Sequence, residues 1–116
     1  MVKIVSTSRF KFDKTAVVQR AEDYLKKLDV HEKFFITIVF VGKRKMQTYS
    51  KTYKKEDVAL PVLSFFYGKD GGTDGPYAEI VICYPQAVLL AAQRNKAVDP
   101  QIISLVEHGI KNLVYK

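Results

Sequence analysis

Phe34-Phe35-Ile36-Thr37-Ile38-Val39-Phe40-Val41 is the stretch on which the fold turns. It is β-branched or aromatic throughout, without a charge or a glycine, so it reads as a strand. Its lack of polar alternation predicts a central strand buried on both faces. Gly42 ends it. From Lys43 to about Tyr53 the spacing predicts a helix, with Met46, Tyr49 and Tyr53 at i, i+3 and i+7 forming a narrow apolar stripe. That stripe reads as core for both tyrosines, with their hydroxyls at its margin. The other faces of this segment are crowded with Lys43, Arg44, Lys45, Lys51, Lys54 and Lys55.

Upstream, Val2 to Ser6 alternates and predicts an edge strand, and Ser8 to Phe12 is a polar connection anchored by Phe10 and Phe12. A helix follows, with Asp13 as its N-cap. Its apolar face is Val17, Ala21, Tyr24, Leu25 and Leu28, and Arg20, Glu22, Lys26 and Lys27 lie opposite. Downstream, Val62 to Tyr67 predicts a third strand. The segment Gly68 to Pro76, with Gly71-Gly72 and Asp74-Gly75, is a turn returning the chain to a fourth strand, Ala78 to Cys83. Pro85 starts a helix running to Arg94 on Ala87, Leu90 and Ala91. Asp99 and Pro100 form an N-cap and first-turn pair for a last helix through Val114. The order β-α-β-α-β-β-α-α predicts an α/β or α+β fold. Residues 1–116 make one domain, with a mixed sheet of about four strands and helices packed mainly on one face.

The 116 residues are 47% hydrophobic and 27% charged, the balance of an ordinary globular chain, which excludes disordered and collagenous classes. One cysteine, Cys83, cannot close an internal disulfide or form a C-x-x-C pair, which fits a reducing cytoplasm. Met1 to Thr7 carries no signal-peptide run, and the longest apolar stretch is too short to span a bilayer, so no membrane partner is expected. The net charge of +7 favours polyanionic partners, or serves solubility alone.

The inventory of catalytic residue types is thin. Two histidines, His31 and His108, do not form an i, i+4 metal-binding pair. Asp70 and Asp74 lack the further ligands of a calcium loop, and Gly42-Lys43-Arg44 lacks the spacing of a phosphate-binding loop. His31, between Val30 and Glu32, reads as a surface loop residue. His108 has two readings, a structural helix residue beside Gly109 or a proton carrier. The cations are more specific. Lys43, Arg44 and Lys45 stand at a helix N-terminus, where each opposes the macrodipole by roughly 0.3 to 1 kcal/mol. A helix selected for stability alone would prefer acids there, whereas exposed amides plus three cations attract phosphate.

Four segments in order, Tyr53-Lys54-Lys55-Glu56-Asp57, Val62-Leu63-Ser64-Phe65, Glu79-Ile80-Val81-Ile82 and Leu105-Val106-Glu107-His108-Gly109, resemble the motif series of the YbeY family of bacterial rRNA maturation factors. The resemblance spans roughly Phe35 to Val114. The family is similar in carrying an N-x-x-Y-R helix, a T-D-V-L-S-F strand, a G-D-I-x-I strand and a terminal H-G-x-x-H-L-x-G-Y-D-H. Here Ser50 stands for its Asn, Lys54 for its Arg, and Leu60-Pro61 for its Thr-Asp, while Glu79 keeps the acid. The family's three terminal His bind a zinc-like metal. His108 matches the first, Asn112 replaces the second, and the sequence ends at Lys116, before the third.

The resemblance implies an rRNA-maturation-type protein that binds single-stranded RNA, with the small ribosomal subunit as a further partner. The expected RNA contacts are Lys43, Arg44, Lys45, Lys51, Lys54 and Lys55. No metal or other cofactor is expected, because the ligand set is incomplete. If cleavage survives, His108 is the expected general acid or base and Lys54 the group that neutralises phosphate charge, in a weak, metal-independent endoribonuclease. The competing expectations are a non-catalytic RNA- or ribosome-binding assembly factor, and an unrelated small-molecule or protein-interaction domain.

Overall fold

A computed structural model describes residues 1–30, 34–68 and 77–115. His31 and the Asp70 to Asp74 stretch considered above lie outside them. The described elements are β1 (Val2–Val5), α1 (Lys14–Lys27), β2 (Phe35–Val41), α2 (Lys43–Lys54), β3 (Val62–Gly68), β4 (Tyr77–Cys83), α3 (Tyr84–Gln93) and α4 (Val98–Val114). The strands form one mixed sheet in the order β1-β2-β4-β3. β1 and β4 both run parallel to β2, and β3 runs antiparallel to β4. The expected element order and sheet are therefore present, with β1 at an edge.

The larger core lies on one face of the sheet. Ile36, Ile38 and Phe40 of β2 and Ala78, Ile80 and Ile82 of β4 meet Val17, Ala21 and Leu25 of α1, Ala87 of α3, and Ile102, Leu105, Val106, Ile110 and Leu113 of α4. Phe10 and Phe12 act as the expected anchors. Phe10 stacks on Tyr84 at 4.7 Å and Phe12 packs against Phe40 at 4.3 Å. The opposite face carries a smaller core, where Met46 of α2 meets Val41, Leu63, Val81, Cys83 and Ala59. Three helices thus cover one face and α2 alone covers part of the other.

This asymmetry corrects the reading of β2. Its Ile36, Ile38 and Phe40 are fully buried, but Phe35, Thr37 and Val39 on the second face are only half-buried, because one short helix cannot cover four strands. The cap of α4 is also corrected. Ala97 is the N-cap, and Asp99 lies inside the first turn, where its carboxylate accepts a hydrogen bond from the Asp13 backbone N–H at 3.3 Å. Asp13 does cap α1, its carboxylate accepting from the Ala16 N–H at 3.0 Å. Asp99 therefore joins the starts of α1 and α4 instead of capping its own helix.

Candidate functional site

α2 begins directly after β2. Its N-cap, Gly42, offers no side-chain bond, and no acid stands in its first turn. Lys43, Arg44 and Lys45 are exposed there, as are Lys51, Lys54 and Lys55 further on. Burial of Met46 and Ser50 fixes which face turns inward. Ser50 Oγ accepts a hydrogen bond from the Leu60 N–H at 3.3 Å, so the residue aligned with the family's Asn ties α2 to the chain leading into β3. Lys55 closes the helix in the left-handed region, φ 58°, and its Nζ donates to the Thr52 carbonyl at 3.4 Å.

The end of α2 overlooks a cleft of about 430 Å³. Lys54 lines it together with Leu60 and Ser64 from the β3 side, Asn112 and Leu113 from α4, and Tyr115 at that helix's C-cap. The fold thus brings Lys54 and Asn112, far apart in sequence, to the walls of one cleft. His108 is exposed on α4, one helical turn before Asn112, and is not part of the cleft lining. It has no hydrogen-bond partner among the described residues, so nothing in them orients its imidazole.

Ser64 explains how α4 is held over β3. Its Oγ donates to the Gly109 carbonyl at 3.0 Å. A Cβ on Gly109 would stand 2.8 Å from Ile80 Cγ2 and 3.2 Å from Ser64 Oγ, so α4 reaches this close to the sheet only because residue 109 has no side chain. Neither role is legible from residue type. Both residues lie inside the quoted motifs, and that was the available signal.

Two further groups escaped sequence reading. Tyr53 is 60% exposed instead of core, because α2 ends as it passes the sheet, and its ring meets Phe65 edge-on at 5.0 Å. Tyr49, half-buried against the smaller core, keeps the expected packing role. Tyr67 stacks on Tyr77 at 5.4 Å and donates its hydroxyl to Glu79 Oε1 at 3.0 Å. Desolvation of the phenol, then the hydrogen bond to Glu79 and that carboxylate's charge, push Tyr67 up to about 12. Burial also pushes the Cys83 thiol up, against the lowering influence of the Gln86 backbone hydrogen bond and the nearby Lys43 cation.

The motif order now has a spatial meaning, since the last turn of α2, β3 and the end of α4 meet around one cleft and β4 pairs beside β3. The family model described as Endoribonuclease YbeY matches residues 3–114. The chain belongs to the YbeY family. Relatives named Endoribonuclease YbeY include one from Azoarcus sp. (strain BH72), 32% identical over 83 residues, which span 67% of this chain and 33% of that protein. Another, from Janthinobacterium sp. (strain Marseille), is 32% identical over 75 residues, 65% of this chain and 49% of that protein. The matched region thus spans a third to a half of the length of these YbeY proteins. A solution structure from Thermotoga maritima superposes with a TM-score of 0.60 at 17% identity, covering 95% of this chain and 69% of that one, which shows a shared fold.

The YbeY resemblance implied a three-histidine metal site. At the two aligned positions the donors are one imidazole, His108, and one neutral amide, Asn112, with the Lys54 cation across the cleft. Among the described residues no group of three His, Cys, Asp or Glu side chains is placed to hold a metal ion. A catalytic zinc takes three protein ligands, and these two positions offer one imidazole and one amide where the family has two imidazoles. Among the described residues, no helix is long and apolar enough to cross a membrane.

Proposed function

We propose that this chain binds single-stranded RNA, of the kind presented by unprocessed ribosomal RNA on the small subunit, along α2 and into the Lys54–Asn112 cleft. One observation carries the reading: six exposed cations lie on α2 and its C-cap, with uncapped amides and no acid in the first turn, and the helix ends at the cleft. A phosphate backbone entering at Lys43, Arg44 and Lys45 meets both free N–H groups and positive charge. Lys51, Lys54 and Lys55 continue the positive charge towards α4.

Cleavage here uses no metal. The 2′-hydroxyl of the RNA attacks its own phosphorus, the bond to the 5′-oxygen breaks, and the products are a 2′,3′-cyclic phosphate and a free 5′-hydroxyl. His108 moves one of the two protons, water moves the other, and Lys54 stabilises charge on the phosphoryl oxygens. One positioned acid–base group contributes about 10² to 10⁴ in rate, so turnover is slow. A second reading, a binding factor without catalysis, is favoured by the absence, among the described residues, of a hydrogen-bond partner for the His108 imidazole.

Incubation of labelled single-stranded rRNA fragments with the wild type, His108→Ala and Lys54→Ala, with and without chelator, tests both. The catalytic reading expects cyclic-phosphate ends that persist in chelator. Each variant should lower cleavage at least about tenfold with affinity nearly unchanged, since one cation among several adds little to ground-state binding. Binding without variant-sensitive cleavage selects the second reading. Cleavage that appears only with added metal overturns the proposed chemistry, and absence of binding overturns the function.

A further inference from the structure

We propose that the half of the sheet that α2 covers only in part is a stacking platform for unpaired RNA bases, with Tyr53 and Tyr67 as its principal rings. The proposal rests on the RNA-binding reading and adds a surface that the basic helix does not contain.

The register defines the platform. Lys3, Thr37, Glu79 and Phe65 are paired in one row across all four strands on the face opposite the main core. Phe35 and Tyr77 are paired in the next row on that face. α2 packs over Val41, Val81, Cys83 and Leu63, towards the other end of the strands, and reaches these rows only through Tyr53 on Phe65, so that among the described residues Phe35, Thr37, Tyr77 and Glu79 stay half-buried and Lys3 exposed. Tyr67 is the extra residue of a bulge between Phe66 and Gly68, with Gly68 at φ 73°, and the bulge places its ring on Tyr77. Tyr67 is 51% exposed and Tyr53 is 60% exposed, so two large rings on one face leave half their surface in water.

The chemistry of the surroundings selects the occupant. Lys45, Tyr49 and Tyr53 stand at i, i+4 and i+8 and share a face of α2, and Lys3 is exposed on β1. Cations therefore stand on two sides of the aromatic strip, whereas an apolar protein contact would keep them away. Bases stack on tyrosine regardless of sequence, and their phosphates reach the flanking lysines. Glu79, held by the Tyr67 hydroxyl, sits within the strip as an acceptor. It repels phosphate but accepts from an exocyclic amino group, which favours cytosine and adenine over uracil.

Binding of a short oligoadenylate, and of the same ribose-phosphate backbone without bases, tests the platform. The variants are Tyr53→Ala, Tyr67→Ala, their phenylalanine counterparts, and the triple variant Lys43→Ala, Arg44→Ala, Lys45→Ala. The chain contains no tryptophan, so its tyrosine fluorescence gives a second signal, quenched on stacking. Each alanine variant should bind oligoadenylate about tenfold more weakly with an unchanged salt slope, while affinity for the baseless backbone stays at the wild-type level. The phenylalanine variants should retain affinity, because the ring and not the hydroxyl carries the stacking.

Wild-type affinity in the alanine variants, alongside loss in the lysine variant, overturns the platform and leaves the RNA reading standing. Equal weakening towards both probes overturns it as well, by showing a general structural effect. Failure of the wild type to bind either probe overturns the RNA reading and the platform with it. Self-association of the wild type that the alanine substitutions abolish, with RNA affinity unchanged, would assign the strip to a protein contact and likewise overturn the proposal.

Discussion

Ser64 and Gly109 are 45 residues apart, and the Ser64 hydroxyl donates to the Gly109 carbonyl at 3.0 Å. Through this bond β3 holds the middle of α4 against the sheet. The backbone at His108 and Asn112, on either side of that point of attachment, is thereby held against β3. A strand motif and a helix motif that are separate in sequence are two halves of one contact.

Gly109→Ala should therefore destabilise the protein even though alanine is the better helix former by about 1 kcal/mol. The new methyl would stand 2.8 Å from Ile80 Cγ2, on a buried side chain in the centre of the sheet. Overpacking of this kind costs about 1 to 3 kcal/mol, which outweighs the gain in propensity. Ser64→Ala should lose about 1 kcal/mol from the hydrogen bond. Chemical denaturation read by far-ultraviolet circular dichroism checks both, and a Gly109→Ala variant more stable than the wild type would contradict the close approach.

Gln101 should be replaceable at a profit in stability. It is fully buried in α4, and both polar atoms of its side chain lack a hydrogen-bond partner among the described residues. An orphaned buried amide costs about 1 to 3 kcal/mol, so Gln101→Met, similar in length and apolar, should raise stability by an amount in that range. The midpoint of urea unfolding measures this, and a lowered midpoint would refute it.

Salt should weaken RNA binding steeply. With about five phosphate contacts, and a slope of about −0.7 per contact for single strands, affinity should fall roughly a hundredfold over a fourfold rise in salt. Combined replacement of Lys43, Arg44 and Lys45 by alanine should flatten the slope by about 2. Fluorescence anisotropy across a salt series measures it, and salt-independent affinity would contradict the assignment of α2.

Alkaline pH should reveal how burial, with the bond to Glu79, holds the Tyr67 proton. The folded protein holds the Tyr67 proton to about 12, against 10.0 ordinarily. Between those values the folded state binds more protons than the unfolded chain, so the stability contributed by this group is fully present below pH 10.0 and is lost as pH rises towards about 12. Tyr67→Phe should lose stability less steeply than the wild type across that window. Parallel slopes in thermal unfolding at a series of pH values would show that the folded surroundings of Tyr67 do not hold its proton.

Periodicity and residue type, which are local, determined the elements and their order. The β-branched run Phe34 to Val41, the stripe of α1 and the cations of α2 each follow from side-chain volume, branching and charge, and the motif order carried the family. What only the tertiary structure decided is which face each element shares and with what. Asp99 looked like the cap of its own helix because its sequence neighbours are right for one, but it bonds to Asp13, 86 residues away. Tyr53 fits an apolar stripe by spacing, yet it is exposed because α2 ends before the sheet can cover it. Lys54 and Asn112 become neighbours only when the sheet, by pairing β3 beside β4, carries the end of α2 to the end of α4. Spacing along a chain specifies direction around one helix or strand, whereas burial and proximity depend on atoms contributed by distant segments, and a local pattern contains no term for those.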